Sequence, residues 1–528
     1  MKRVLLLLIL TSPFVSHGQL LWQKTFRPVS PTGQTEHGRS LVTYSNGEII
    51  TSTQYFFGLW VMKLDTAGNV LWSKNIPDTG VDKVIKAKGD NLVFGSASQS
   101  AIAITKTDTS ANVIWSKEFD FDERDYFADI IETDNGNLIV VGASNYTEVD
   151  SQYSYYHARP IAFCLDSSGT LLWAKSYYPY VMQIYAYDQN TAVFQSIKRI
   201  NSNEYLISVT IADTVNNENG MLVMKIDTLG NVLNSIRINS PRNDWSTGCL
   251  FTYDNHIMIY GNTYDTLVPG GWQINSRPIY AFLDNNLTAL LLMNKIIING
   301  EVSQGAIQYQ DSSILLYMLY AGGLMKLDPA GNYLYLKSIG ISSISFTFQV
   351  NEYNESIFII GMEWTGNQDF FLVKALNNLD GGCNTYSINT IPVVNDSAFT
   401  IQPFTLYESA LSPVVLPLNL NTSIFPFTSQ IHCNTAVGLE ENIREQHLLL
   451  SPNPVKRGEP LSLFFNAQQM HENKITIYDM LGNQLISEHI KRGSTSLTIV
   501  TDLLTPGVYV AALTSTGNII SKIKLIVI

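Results

Sequence analysis

The sequence predicts an all-β protein, a seven-bladed β-propeller followed by a small Ig-like β-sandwich. Three observations lead there. Of the 528 residues, 45% are hydrophobic, 11% aromatic and only 15% charged, a composition that suits pleated, half-buried strands better than helices or disorder. A short unit recurs up to about residue 340: an apolar run, an Asp, a tight turn, then an apolar run carrying an aromatic and a Lys. The last 80 or so residues alternate apolar and polar positions punctuated by Pro and Gly, as strands of a small sandwich do.

The clearest repeat unit is VMKLDTAGNVLWSK at residues 61–74. Its Asp recurs at Asp65, Asp108, Asp166, Asp227, Asp284 and Asp328, and seven residues after each stand Trp72, Trp115, Trp173, Asn234, Leu291 and Tyr335. A constant offset within units and variable spacing between them is the mark of a structural repeat with insertions. Each unit reads as a hairpin, because Asp, Asn and Gly accept the backbone angles of the turn. A second hairpin precedes it, marked by segments such as NGEIITST from Asn46 and NGNLIVVGAS from Asn135. There are seven such markers, hence seven four-stranded blades. The seventh unit, Phe370 to Leu376, lacks an outer strand with Trp and Lys. LLWQKTF at 20–26 matches VLWSKNI at 70–76, so the N-terminal strand is expected to complete that blade, with CNTYSINTI from Cys383 as the rival. The Asp-x-x-Gly-x-x-x-Trp pattern resembles the repeats of quinoprotein-type propellers over about residues 20–380, a likeness that speaks to fold and not to activity.

Residues 1–18 read as a secretory signal: Lys2 and Arg3, an apolar run from Val4 to Leu10, then Ser16 and Gly18 before an expected cut at Gln19. The run is far shorter than the roughly 20 residues of a membrane-spanning helix, and no Cys follows the cut, which disfavours a lipid anchor. A net charge of −12 leaves no basic footprint for nucleic acid. The expected organisation is a signal peptide at 1–18, a propeller at 19–380, an irregular β-appendage and linker at 381–445, and a C-terminal domain at 446–528.

That last domain contains Ser451-Pro452-Asn453-Pro454, then ITIYDMLG ending on Gly482, then LTPGVY with Pro506, Gly507 and Tyr509, and KIKLIVI at 522–528. As a set these resemble the C-terminal (type A) sorting domain of type IX secretion substrates from Bacteroidetes-like bacteria. The resemblance implies delivery by an outer-membrane translocon and a mature protein that is secreted or attached to the outer surface.

Signatures of chemistry are sparse. There is no His-Glu-x-x-His helix, nucleophile elbow, P-loop or Cys-x-x-Cys, and the eight His residues show no ligand spacing. No metal or cofactor is expected. The acidic run Asp120, Asp122, Glu123, Asp125 lacks the Gly of a calcium loop and reads as a surface turn. Cys164 sits in an apolar strand, whereas Cys383 and Cys433 flank an irregular segment and are the candidate disulfide, with two separate thiols as the alternative. The repeat tryptophans Trp22, Trp72, Trp115 and Trp173 are expected to fill gaps between blades. Residues 144–159, 178–192, 212–220, 239–247 and 262–277 read as loop insertions gathered on one face of blades three to five. Their aromatics Tyr155, Tyr156, Trp245 and Trp272 are the candidate ligand contacts, because Tyr and Trp give large contact area with a polar handle. The expected function is non-enzymatic binding of a glycan or protein. The alternative is an enzyme, a quinoprotein-like dehydrogenase or a glycan-acting hydrolase or lyase, for which no carboxylate pair stands out among Glu148, Asp150, Asp188, Asp244 and Asp265.

Overall fold

The computed structural model describes residues 19–437 and 448–528 apart from short internal stretches, the longest being 30–36, 184–193 and 466–472. The signal segment lies outside them. The described residues form two compact units, one at 20–436 and one from 437 onward.

In the first unit, seven antiparallel four-stranded meanders follow one another. Blade one is His37–Thr43, Ile49–Tyr55, Gly58–Leu64 and Val70–Pro77. The innermost strand of each blade packs on that of the next, and the innermost strand of the seventh packs on that of the first, closing a ring. The closing strand is Gln19–Pro28, which pairs with Gln368–Leu376 of blade seven in the register Trp22 opposite Lys374 and Phe26 opposite Phe370. The rival segment pairs elsewhere: Thr385–Ser387 lies on Tyr333–Ile339 of blade six.

The repeat residues build both the turn and the joint between blades. Asp65 Oδ1 accepts the N–H groups of Ala67 and Asn69, and its Oδ2 accepts the Asn69 side-chain amide at 2.9 Å. Asp108 and Asp227 repeat this arrangement. The aromatic of the outer strand, seven residues after the Asp in blades two and three and Trp22 on the closing strand of blade seven, reaches the turn of the following blade. Trp22 Nε1 donates to Thr66 O, Trp115 Nε1 to Ser167 O and Trp173 Nε1 to Thr228 O, each at 3.1 Å. The Lys two residues beyond the Trp does the same: Lys24 Nζ donates to Gly68 O at 2.7 Å and Lys117 Nζ to Gly169 O at 2.8 Å. The turn glycine lets the ring approach; a Cβ on Gly230, at φ +74°, would stand 2.7 Å from Trp173. One short motif thus caps its own turn and latches its neighbour, which explains its fixed spacing.

The segment expected to be an irregular appendage is regular. Residues 385–437 form a belt that adds a fifth strand to every blade, visiting blades six, five, four, three, two, one and finally seven. Its strands Thr400–Pro403, Tyr407–Ala410 and Val414–Pro417 begin seven residues apart. The same period sets its anchoring bonds. The N–H groups of Phe404, Leu411, Leu418 and Phe425 donate to the carbonyls of Ser235, Ala174, Ser116 and Ser73, which are equivalent positions of four consecutive outer strands. Phe399 and Leu406 enter the cores between blades and Phe425 and Phe427 pack on Trp60, while the strand residues between such anchors are mostly exposed. The belt covers sheet edges that would otherwise present unpaired backbone. Phe399→Ala should cost about 3 kcal/mol, the lower end for a buried Phe because one flank is near the surface; the shift of the urea midpoint measures it. Cys433 falls within the belt's last strand, Phe427–Val437, and Cys383 lies outside the described residues. Cys164 and Cys249 are buried free thiols.

The second unit is a two-sheet β-sandwich. Leu448–Ser451, Pro460–Phe465 and Ser496–Val500 form one sheet; Gln484–Ile490, Asn473–Tyr478, Gly507–Ser515 and Asn518–Val527 form the other. Val455, Leu463, Ile475, Ile477, Tyr509, Leu513 and Leu525 fill the space between them.

Candidate functional site

The described parts of the insertions expected as loops at 144–159, 212–220 and 262–277 are paired strands, and most of 178–192 lies outside the described residues. In blade three, Leu138–Val149 and Ser154–Leu165 run in register from Leu138 opposite Leu165 to Val149 opposite Ser154. Blades four and five have similarly tall second-to-third-strand hairpins, Glu204–Asp213 with Glu218–Asp227 and His256–Leu267 with Gln273–Asp284. Their strands are 10 to 12 residues long, against 5 to 7 in blades one, two and six. Because the blades are consecutive, the three hairpins rise side by side as a crown on one face.

Tyr155 and Tyr156 lie on the blade-three hairpin, opposite Glu148 and Thr147. Trp272 lies outside the described residues, as do Asp150 and Asp188. Trp245 is not in a loop. It sits half-buried in the innermost strand of blade five, Asn243–Phe251, opposite Asn262. Beside it, Asp244 is buried and accepts the Ser240 hydroxyl at 2.6 Å; burial pushes its carboxyl up to about 7. In the acidic run, Asp122 pairs with Arg159 at 3.0 Å, and Asp125 is buried, accepts the Phe121 N–H at 2.7 Å and is pushed up to about 6 by burial. No group of three or more His, Cys, Asp or Glu among the described residues is placed to hold a metal.

A second set of polar residues surrounds the ring axis. Each innermost strand ends at a first turn, and four residues before the turns at Tyr44, Ala87, Thr133, Ile200, Thr252 and Tyr309 stand Ser40, Lys83, Asp129, Ser196, Gly248 and Gly305. Blade seven contributes Gln349 at this level. The layer has a structural task. The inner edge of an innermost strand has no further strand to pair with, so its N–H groups need side-chain acceptors. Ser40 Oγ accepts Val84 N at 3.1 Å, Gln349 Oε1 accepts Leu41 N at 3.0 Å and Asp129 Oδ2 accepts Ile197 N at 3.1 Å, each across a blade boundary. At Gly248 and Gly305 tyrosines of the adjacent strand fill the place of the missing side chain. A Cβ there would meet the hydroxyls of Tyr260 and Tyr317 at 2.3 and 2.0 Å. Burial raises both phenols well above their ordinary range.

Lys83 breaks this pattern, since an ammonium cannot accept. Asp129 takes up the Ile130 N–H itself at 3.0 Å and draws in two cations, Lys83 Nζ at 3.6 Å and Lys198 Nζ at 3.3 Å. Burial alone would raise the Asp129 carboxyl, but Lys198, Lys83 and two backbone N–H groups outweigh it and hold it below the usual range. For Lys83 the attraction of Asp129 is the largest influence and acts upward, yet burial and repulsion by Lys198 together bring it below an ordinary lysine. For Lys198 burial acts downward most strongly, and Asp129 and its neighbours reverse it, leaving the group raised. None of these three residues stood out in the sequence; the available signal was a lone Asp within the apolar strand YFADIIE.

In the C-terminal unit the motif residues join elements. Asn453 Nδ2 donates to Lys524 O at 2.7 Å and its Oδ1 accepts Ile526 N at 2.9 Å, binding the Pro452–Pro454 turn to the final strand. The Tyr509 hydroxyl, two residues after Gly507, donates back to Thr505 O beside Pro506. Asp479 caps the turn through Asn483 as in the propeller repeat, and Gly482 lies outside the described residues.

No curated protein matches this sequence. Among solved structures, the arabinofuranosidase Arb93A from Fusarium graminearum is similar over 68% of this chain and 99% of its own, at 9% identity and a TM-score of 0.36. An apocarotenoid oxygenase from Synechocystis covers 71% of this chain and 96% of its own, at 9% identity and 0.36. A protein of unknown function from Bacteroides caccae covers 57% and 93%, at 10% identity and 0.30. Residues 450–528 match the family model described as the secretion system C-terminal sorting domain, and the chain therefore carries, behind its β-propeller, a type IX sorting domain of that family.

Proposed function

We propose that this is a non-enzymatic recognition protein, delivered to the outer surface or beyond by type IX secretion, that binds a glycan or a protein through the crown of blades three to five. The observation behind this reading is the asymmetry of the ring: three consecutive blades carry hairpins of 10 to 12 residues per strand where blades one, two and six carry 5 to 7. Longer strands add nothing to the ring's own closure, and paired backbone gives a rigid platform for aromatic contacts, which lowers the entropy lost on binding. Ligands would come from a screen of surface polysaccharides and matrix proteins. Replacing Tyr155, Tyr156 and Trp272 with Ala should weaken binding of the captured ligand at least tenfold with melting nearly unchanged, whereas Trp245→Ala, in an innermost strand, should also lower stability. Trp115→Ala should do the reverse, costing about 2–3 kcal/mol of stability, since this half-buried latch ring falls somewhat below the fully buried range, with binding retained. Unchanged affinity in the triple variant would refute the crown as the binding surface.

One observation favours the enzymatic alternative. Asp244, held near 7 by burial, is poised to give up a proton at neutral pH as a general acid does. Loss of glycan turnover in Asp244→Asn, in a chain that cleaves the captured glycan, would favour a hydrolase or lyase over a binder.

A further inference from the structure

Asp129 gathers two ammonium groups and neutralises only one of them. Among the described residues it is the only polar partner of either Lys83 or Lys198. Lys198 spends one of its three ammonium protons on Asp129 at 3.3 Å, and Lys83 stands 3.6 Å away as an ion pair, so at least two protons of each ammonium remain for another acceptor. The side chains of Lys83 and Lys198 keep 28% and 32% of their surface accessible while Asp129 keeps 6%, so the lysines are more open to an incoming ligand than the carboxylate. Toward the face that carries the hairpin turns lies a pocket of about 330 Å³ lined by Ile85, Ile131 and Arg199 together with the charged residues Lys86, Lys88, Glu132 and Asp134; Lys83, Asp129 and Lys198 are not in its lining. Ile85, Ile131 and Arg199 lie two residues beyond Lys83, two beyond Asp129 and one beyond Lys198 on the same three innermost strands.

We propose that Lys83 and Lys198 form an axial binding site for a small monocarboxylate, whose carboxylate bridges the two ammonium groups opposite Asp129 and whose apolar body lies against Ile85 and Ile131. The two lysines flank the two oxygens of Asp129, so a second carboxylate can bridge the same pair from the open side. The net charge of +1 matches a monoanion. A phosphate or sulfate dianion would bring one charge more than the site balances, beside a carboxylate that repels it. Charge-assisted bonds to a carboxylate are strong where water is partly excluded, and the isoleucines select a ligand with a short hydrocarbon body over a bare inorganic anion. The downward displacement of Lys83 agrees with an unfilled cation pair, and a bound anion would reverse it. This site lies around the axis and does not depend on the crown.

The test uses the full chain and four sodium salts at constant ionic strength: butyrate, acetate, chloride and sulfate. Butyrate should raise the melting temperature with saturation, acetate less so; sulfate, excluded from the surface, should raise it only in proportion to concentration and without saturation, and chloride should not raise it. Titration calorimetry with butyrate should show binding that weakens at least tenfold in Lys83→Met and in Lys198→Met. Should either variant melt non-cooperatively in chloride, transfer of saturation from the protein to butyrate methyl protons in the unmodified chain, abolished by excess acetate, decides the question. Equal stabilisation by all four salts, undiminished butyrate binding in a folded Lys83→Met chain, or no saturation transfer would overturn the site.

Discussion

A mature chain lacking residues 20–26 should fail to give a soluble, cooperatively melting propeller. The strand they form lies between Gln368–Leu376 and the belt strand Phe427–Val437, so its loss opens two sheet edges at once. Leu21, Trp22 and Phe26 are fully or almost fully buried, and Phe26 stacks on Phe370 with ring centres 5.0 Å apart. Trp22 and Lys24 also latch the turn of blade one, and Arg27 beside the deletion pairs with Asp369. Truncating a buried Trp alone costs roughly 3–5 kcal/mol, against a total stability of about 5–15 kcal/mol for a folded domain. Trp22→Ala should therefore remain soluble with a clearly lowered denaturant midpoint, whereas the deletion should aggregate through its unpaired edges. A deletion variant that stayed monomeric with an unshifted melting curve would show that the ring closes without this strand.

Deleting residues 446–528 should have the opposite signature: a propeller that melts as before but never leaves the periplasm. The core of the sandwich is built from its own residues alone, Val455 to Val527, and every belt strand ends by Val437. The strands and cores of the ring described above draw on no residue of the deleted segment. Fractionation of cells expressing the two chains, with immunodetection of the propeller, gives the answer. Surface display of the truncated chain would mean that another signal directs its export. Asn453→Ala, which removes the clip to Lys524 and Ile526, should show part of the same defect with the propeller again unaffected.

How legible each part was follows from how local its physics is. The Asp-turn repeat could be read because one motif makes its turn and reaches the next blade within a fixed offset; Asp65 with Asn69, and Trp22 on Thr66, need those residue types at that spacing. The belt escaped because its strands are exposed and carry no alternation. Its only regularity is the seven-residue recurrence of Phe404, Leu411, Leu418 and Phe425, and the Pro, Ser and Asn between them read as an irregular β-appendage. The tall hairpins read as insertions for a related reason: 144–159 mixes Tyr, Ser, Asp and Glu without apolar alternation, although its backbone pairs as far as Val149 opposite Ser154. Trp245 followed Pro-Arg-Asn-Asp, a turn-like string that proves to lead into an innermost strand. The axial cluster was the least legible. Lys83, Asp129 and Lys198 come from three blades separated by unequal linkers, and only the ring brings them to one carboxylate.

The belt's reverse itinerary also bears on the order in which the chain is made. Hairpins within blades join near neighbours, but the last belt strand meets the first strand of the ring; Thr25 and His432, 407 residues apart in sequence, share a hydrogen bond of 2.8 Å. Such a pairing forms late, because its loop-closure entropy must be met before its contacts reward it. The belt ends at Val437 and the sorting domain begins at residue 450. During synthesis from the N-terminus, every strand the ring requires has therefore already emerged when the sorting domain appears. A chain that displays its address is one whose cargo can already be complete, so the address doubles as a certificate of length: a nascent chain cut short anywhere in the ring or the belt carries no sorting domain.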